Sequence, residues 1–489
     1  MSQISKTISP FAKKIIKGTF WLTLGTLLSR ALLSIAYIFL ARILSTDEYG
    51  QYGMLKSTID NFYVFASMGI GLTTTKYISE YKNSDKKAAS SILGTSLITV
   101  LLLGTALALL IYLFSTYIST NLLQAPQLSN LLNLVALIIV FSSVNGIQNG
   151  ALLGTQSFDK IAFVNIIQGV LLFLGICIGG YLYGVFGAVV GNLISIILLS
   201  LIVQYMLKVE CNKIDLSISL NNWKQSLKII YKFALPASLS TIITAPTIWI
   251  LNTMLVKTQN GYSELGVYSA VVVVATAIQM FNGSINSVLL PIFLSNEAEK
   301  TPKKEFFNYF GTWIISLLVA LPFFVFPEIV NLILGNKYAI YGTDIKWILS
   351  FTLFSTLIIA QRQGLSRDLI IKNKMWLSVF SMGQWAITTY ICFLYLMPYG
   401  ALGFAGAFCI GYVINAIVFL PIFIYLQICP KYVFFDINIV AVWILVLLLI
   451  VINNLLGSIL FRAIFSLLIT ALLIYNIFNL YKKNAYVLI

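Results

Sequence analysis

The sequence predicts an all-α integral membrane protein with about fourteen transmembrane helices, each long enough to cross a bilayer. Three observations lead to that prediction. Of 489 residues, 59% are hydrophobic and 10% are charged, and the mean hydropathy is +0.93. The apolar residues fall into runs of about 20, the length that a helix needs to span the hydrocarbon. The lysines and arginines gather between alternate runs. This composition excludes a soluble domain.

The predicted spans follow one another with short connections between them. They lie at 18–41, 50–73, 88–117, 128–153, 161–180, 183–207, 233–256, 265–295, 307–328, 345–366, 375–397, 400–427, 435–453 and 457–480. Cytoplasmic connections of membrane proteins carry an excess of lysine and arginine. With the N-terminus inside, most of these residues fall in the cytoplasmic connections. Both termini are therefore predicted to be cytoplasmic, and the protein to lie in the cytoplasmic membrane of a bacterium or archaeon.

Composition also excludes several kinds of chemistry. The net charge of +15 is spread over the predicted cytoplasmic connections, where it meets anionic headgroups, so we expect no nucleic acid partner. The chain has no histidine, the commonest metal ligand. It has no GxxxxGK[ST] phosphate loop and so no ATPase of its own. We expect no enzyme activity, no cofactor, no metal and five free thiols, at Cys177, Cys211, Cys392, Cys409 and Cys429.

Several short motifs recur at a constant spacing of 216 residues. EYGQYG at 48–53 returns as ELGVYS at 264–269, and YGVFG at 183–187 returns as YGALG at 399–403. Six predicted spans separate the copies, and an even number keeps both in the same orientation. The alternative is one favourable turn used twice. Duplication predicts a six-helix N-terminal lobe, a cytoplasmic linker, a six-helix C-terminal lobe and two additional helices with a short tail, at 1–210, 211–232, 233–430 and 431–489.

Three segments resemble the polysaccharide-biosynthesis flippases, the Wzx-like exporters of the multidrug/oligosaccharidyl-lipid/polysaccharide (MOP) superfamily. They are ARILSTDEYGQYG at 41–53, NGALLGTQ at 149–156 and FALP at 233–236. Span count and repeat spacing fit the same family. The resemblance implies a V-shaped, MATE-like arrangement of the two bundles, transport by alternating access and a lipid-linked oligosaccharide as substrate.

Three charged residues are predicted within the first two spans: Arg30, Lys56 and Asp60. A guanidinium in hydrocarbon costs about 2.5–3.5 kcal/mol, so Arg30 must face a wet cavity or a partner. Lys56 and Asp60 lie one turn apart on one helix face. In one interpretation Asp60 neutralises Arg30 and joins the two helices. In the other, the surplus positive charge attracts a diphosphate. At the repeat spacing the three map to Pro246, Val272 and Thr276.

Uncharged polar residues form stripes on several predicted spans. Such stripes indicate a wet cavity, with hydrogen bonds between helices as the alternative. A polar cluster at the inner end of span ten, which contains Arg362, Arg367 and Asp368, is predicted to anchor that helix at the headgroups, or else to form a gate. The stripe residues predicted to bind substrate are Asn145, Gln148, Asn149, Gln168, Gln279, Asn282 and Asn286.

The resemblance, taken with these polar and cationic residues, implies a flippase that carries a polyprenyl-diphosphate-linked oligosaccharide to the outer leaflet for surface polysaccharide assembly, as O-antigen, capsule or exopolysaccharide. Membrane lipids, a coupling ion (H⁺ or Na⁺) and polysaccharide polymerase machinery are the expected further partners. A MATE-like drug/cation antiporter, a flippase for a cell-wall lipid-linked precursor and a membrane-embedded polymerase are the alternatives. Asp60 is the only acid well inside a predicted span, and the nearby cations disfavour its use as a cation switch.

Overall fold

The computed structural model describes residues 10–294, 305–372, 374–456 and 458–486. Within them, side chains are described except at 10–20, 236–237, 240, 281, 283–294, 336, 370, 459 and 484–486. The described residues form helices and no strand. The helices are α1 (Pro10–Ile43), α2 (Thr46–Ser67), α3 (Ile70–Tyr81), α4 (Lys86–Tyr117), α5 (Ser129–Thr155), α6 (Phe158–Lys213), α7 (Trp223–Val256), α8 (Gly261–Leu294), α9 (Thr312–Val325), α10 (Ile329–Leu334), α11 (Gly342–Gln361), α12 (Gln363–Ile371), α13 (Met375–Leu396), α14 (Gly400–Tyr425), α15 (Tyr432–Phe435), α16 (Ile437–Leu455) and α17 (Ile459–Tyr486).

Ten helical stretches in the described residues are long and apolar enough to cross a membrane. The chain is therefore an all-α, multi-pass membrane protein, as predicted. The count of fourteen is not confirmed. Two of the ten stretches, Phe158–Lys213 and Met375–Tyr425, are more than 50 residues long, about twice what one crossing needs.

The long helix α6 turns back on itself at Tyr183 and Gly184. Gly184 has φ 59° and ψ −138°, a conformation that glycine adopts at little cost. On either side of this turn, a β-carbon at Gly191 would overlap the carbonyl oxygen of Gly175, and Ser195 Oγ donates a 2.7 Å hydrogen bond to the carbonyl of Leu171. The two arms of α6 therefore run antiparallel in close contact, as the predicted spans 161–180 and 183–207 require.

The same turn occurs 216 residues later, between α13 and α14. Gly400 has φ 55° and ψ −131°, close to the values at Gly184. Its neighbour Ala401 donates a 2.8 Å backbone hydrogen bond to the carboxylate of Glu264. The recurring YGxxG motif thus forms the same tight turn in both places.

Alanine at Gly191 is expected to destabilise the folded protein by about 1–3 kcal/mol, because the added methyl group cannot fit against the backbone of Gly175. The matched control is alanine at Gly383, where no atom lies within 4 Å of the new β-carbon. Thermal unfolding of the protein in detergent measures both. Equal melting temperatures for the two variants would contradict the close hairpin.

Contacts between helices divide the chain into two compact units. The first unit comprises Met1–Leu44 and Gln51–Thr253, and the second comprises Ser45–Gly50 and Met254–Ile489. In the first unit α1 packs along α6, and α5 packs against α3, α4 and α6. In the second unit α14 packs against α13, α11 and α8. Most of α7 belongs to the first unit, so the predicted lobe boundaries stay a prediction.

The second predicted span, 50–73, is not one continuous helix. α2 ends at Ser67, Met68 and Gly69 have positive φ values of 37° and 69°, and α3 begins at Ile70. A β-carbon at Gly69 would lie 2.9 Å from the carbonyl oxygen of Ala234. Glycine therefore allows both the left-handed backbone and this close approach to α7.

Within the second unit, the start of α2 crosses the start of α8 in a reciprocal contact. A β-carbon at Gly50 would overlap the carbonyl oxygen of Tyr262, and one at Gly266 would overlap that of Thr46. Both glycines and both carbonyls are 216 residues apart. The hydroxyls of Thr46 and Ser263 are also 2.7 Å apart. Two equivalent contacts of this kind indicate a local twofold relation between the two helix starts.

Within the second unit, ion pairs hold the last two helices in place. Arg462 at the start of α17 donates a 2.7 Å hydrogen bond to Glu328, which also accepts one from Lys346. Burial alone would raise the pKa of the Glu328 carboxyl, but these hydrogen bonds outweigh it and lower that pKa. At the other end of the hairpin, Lys483 bonds to the buried carboxyl of Asp436.

Candidate functional site

One face of α1 carries polar residues along its length. Thr26, Arg30 and Tyr37 are spaced by four and seven residues, which places them on the same side of a helix. The Arg30 side chain is exposed. Thr26 accepts a 2.9 Å hydrogen bond from Asn165 of α6. We call Thr26, Arg30 and Tyr37 the α1 polar face.

The α1 polar face continues onto α2 through Tyr37. Lys56 Nζ lies 5.9 Å from the centre of the Tyr37 ring and 2.7 Å from the Asp60 carboxylate. The exposed fractions of the Lys56 and Asp60 side chains are 43% and 61%, so the ion pair is open rather than enclosed.

Arg30 and Asp60 lie at similar distances from the α1–α2 connection but do not form a pair. At 1.5 Å per residue, both are about 20 Å from it. In the described part of the chain Arg30 makes no ion pair, and Asp60 bonds to Lys56 instead. α1 packs mainly along α6 rather than along α2, which explains the separation. The three charges together carry a net positive charge, with Arg30 as the unneutralised member.

Other polar groups of the first unit border this region. Tyr63 is one turn beyond Asp60, and its hydroxyl lies close to Gly146 of α5. Beside Gly146, Asn145 and Asn149 each have a buried Oδ1 atom without a hydrogen-bond partner in the described structure. Gln168 is half-buried, one turn from Asn165 on α6. Buried amide oxygens without partners are costly, so these residues are good candidates for contact with water or substrate.

Gln148 and Asn282 form hydrogen bonds with side chains of other helices. Gln148 donates a 2.9 Å hydrogen bond to Gln204, and Asn282 accepts one of 2.7 Å from Ser316. Both are buried, and Gln148 fits the interhelical alternative. Asn282 keeps a buried Nδ2 atom without a hydrogen-bond partner in the described structure. Gln279 is exposed on α8. The side chain of Asn286 lies outside the described residues.

Two arginines of the span-ten cluster lie in an interior that sequence reasoning did not foresee. Arg362 donates to Asn415 Oδ1 and, at 2.9 Å, to Ser381 Oγ. Arg367, only 1% exposed, donates a 2.7 Å hydrogen bond to Asn308. The predicted anchoring of Arg367 at the headgroups is therefore wrong. The signal available in the sequence was Asn308 and Asn415, two amides inside otherwise apolar spans.

No group of three or more metal-ligating side chains occurs in the residues that the structure describes. The five cysteines are free and do not cluster. The polar groups of the first unit offer hydrogen bonds and positive charge to a ligand.

The fold matches those of solved transporters. An inward-facing multidrug resistance MATE family transporter of the MOP superfamily superposes with a TM-score of 0.65 at 20% identity, over 83% of this chain and 97% of that one. A MOP superfamily transporter from Pyrococcus furiosus gives a TM-score of 0.60 at 19% identity, over 84% and 95%. The chain is thus a membrane protein with the fold of these transporters.

Sequence comparison narrows this class. The polysaccharide biosynthesis protein family model matches residues 15–297, more than half of the chain, and the chain belongs to that family. The lipid III flippases of Escherichia coli (strain K12) and Shigella flexneri are each 24% identical over 417 residues, which cover 82% of this chain and 96% of theirs. The predicted resemblance to Wzx-like members of the MOP superfamily is confirmed.

Proposed function

We propose that this chain is a flippase that moves a polyprenyl-diphosphate-linked oligosaccharide from the inner to the outer leaflet of the cytoplasmic membrane by alternating access. The observation that carries the proposal is Arg30, an exposed cation of the α1 polar face that makes no ion pair within the described residues. Asp60 of α2 is already bonded to Lys56. The net positive charge suits a diphosphate.

The physical need for such a protein lies in the sugar hydroxyls. Each hydroxyl moved into hydrocarbon without a partner costs roughly 2–7 kcal/mol. Amide and hydroxyl groups of the first unit, such as Asn149, Gln168 and Tyr63, can replace lost water contacts. The polyprenyl tail needs no such help and can stay in lipid. We infer that the product serves surface polysaccharide assembly and is passed to a polymerase.

Topology and energy source belong to the same proposal. The excess of lysine and arginine in alternate connections supports cytoplasmic termini. An inside-negative membrane potential favours outward movement of an anionic headgroup by about 2.3 kcal/mol per charge per 100 mV. A coupled H⁺ or Na⁺ gradient is a second source.

The cation antiporter alternative needs an acid that can bind and release a cation. Asp60 forms a 2.7 Å ion pair with Lys56, so its carboxylate is already occupied by a cation of the protein. This contact supports the flippase proposal over a MATE-like antiporter. A flippase for a cell-wall precursor remains the nearest alternative, because the same headgroup chemistry serves both.

The intact chain is expected to restore surface polysaccharide in a strain that lacks its lipid III flippase or O-antigen flippase. Immunoblotting of surface polysaccharide measures rescue, and an inserted but transport-dead flippase serves as the control. Rescue of a cell-wall precursor flippase deletion alone would move the proposal to that alternative. Drug resistance without any rescue would overturn it.

A further inference from the structure

An apolar pocket of about 350 Å³ lies in the first unit between α4 and the start of α7. α4 contributes Ile98 and Leu102, and α7 contributes Trp223, Leu227 and Tyr231. The last three are spaced four residues apart and therefore lie on one helix face. Leu102 is 65% exposed and Trp223 is 48% exposed, so the pocket is open at the protein surface. Its lining suits a hydrocarbon chain.

The two walls of the pocket are joined at their beginnings. Ser91 of α4 and Ser226 of α7 have hydroxyl oxygens 2.8 Å apart, and Ser217 before α7 donates a backbone hydrogen bond to Ser90. These contacts place the start of α7 beside the start of α4. A long apolar molecule in the pocket would therefore lie along both helices.

A row of lysines runs beside the pocket. Lys224, Lys228 and Lys232 each follow one pocket residue of α7, so they form a second stripe about 100° around the helix. All three are exposed, and none makes an ion pair within the described residues. The acids of the preceding segment are already paired, Glu210 with Lys213 and Asp215 with Lys86.

We propose that this pocket binds one anionic phospholipid of the membrane, with an acyl chain against Leu227 and Leu102 and the phosphate at the Lys224–Lys228–Lys232 stripe. An apolar wall alone would accept any lipid, but three unpaired lysines favour a net negative headgroup. None of these residues belongs to the α1 polar face. The lipid would brace the start of α7, the helix that follows the predicted linker between the lobes.

Fluorescence quenching of Trp223 by lipids with brominated acyl chains tests the site. We expect quenching by brominated phosphatidylglycerol to exceed quenching by brominated phosphatidylcholine at equal mole fraction in vesicles of the full chain. The excess should disappear in Trp223→Phe, which separates this residue from the other seven of the chain's 8 tryptophans. In the triple variant Lys224→Gln/Lys228→Gln/Lys232→Gln, affinity for phosphatidylglycerol should fall at least about tenfold.

Two matched controls accompany the test. The triple variant Lys160→Gln/Lys208→Gln/Lys431→Gln removes the same charge elsewhere in the chain and should leave quenching unchanged. Leu227→Trp should fill the pocket and prevent phosphatidylglycerol from being retained in native mass spectra, whereas Leu113→Trp on exposed α4 surface should not. Equal quenching by both lipids would overturn the proposal. Displacement by a polyprenyl phosphate but not by unlabelled phosphatidylglycerol would also overturn it and assign the pocket to the substrate tail.

Discussion

Replacing Arg30 with alanine is expected to reduce export at least about tenfold while leaving the amount of folded protein unchanged. A hydrogen bond to a charged group contributes about 1.5–3 kcal/mol, and each 1.4 kcal/mol is a factor of ten. Arg30 makes no ion pair in the described structure and its side chain is exposed, so its loss leaves no buried acid behind. Rescue of a flippase deletion strain measures export, and detergent-solubilised yield measures folding.

A double variant tests whether Asp60 is the structural partner of Arg30. Because Asp60 bonds to Lys56 and not to Arg30, the double variant Arg30→Ala/Asp60→Ala should fold no better than Arg30→Ala alone. Arg30→Lys is the matched control that keeps the charge and should retain part of the export. Wild-type export by Arg30→Ala would remove the main support for the diphosphate site. Improved folding of the double variant would instead restore the structural interpretation.

A disulfide between cysteines placed at Thr46 and Ser263 is expected to stop export, and a reductant is expected to restore it. The two hydroxyl oxygens are 2.7 Å apart, so sulfur atoms at the same positions can approach bonding distance. In the proposed alternating-access cycle the first unit, into which α2 continues beyond Gly50, moves, and we expect this movement to open the crossing of α2 and α8. Rescue of the deletion strain under oxidising and reducing conditions is the measurement.

The crosslinking experiment uses a background in which the five native cysteines are replaced. Thr46→Cys and Ser263→Cys alone are the controls and should export normally under both conditions. Complete disulfide formation with full export would show that the crossing of α2 and α8 stays closed throughout transport. That result would leave the flippase proposal standing and remove this contact from the cycle.

Sequence reasoning succeeded where the signal was local. The apolar runs at 161–180 and 183–207 predicted two spans, and the YGxxG motif that was read as part of a repeat forms the same glycine turn at 183–187 and at 399–403. Sequence reasoning failed at 50–73, where it predicted one continuous span. The helix breaks at Met68 and Gly69, where the chain passes close to Ala234, more than 160 residues away in the sequence. The length of an apolar run does not show which distant residue will pack against it.

The sequence identified the charged residues of the candidate site, but it did not show which of them form an ion pair. The one-turn spacing of Lys56 and Asp60 predicted that they could meet, and they do. The choice between Lys56 and Arg30 as the partner of Asp60 depends on whether α1 packs along α2 or along α6, which helix periodicity does not encode. The same reason explains Gln148 and Arg367, whose partners Gln204 and Asn308 lie more than 50 residues away.

The reciprocal crossing of α2 and α8 has an evolutionary consequence. In a duplicated chain, Gly50 and Gly266 descend from one position, and the carbonyls of Thr46 and Tyr262 descend from another. Before fusion, one glycine in each of two identical subunits would have made both halves of this contact, as in a homodimer. After fusion, the two copies of every other position no longer have to carry the same residue. A cation such as Arg30 can then arise in one copy while its counterpart becomes Pro246, which would give the headgroup of the proposed substrate a single place to bind.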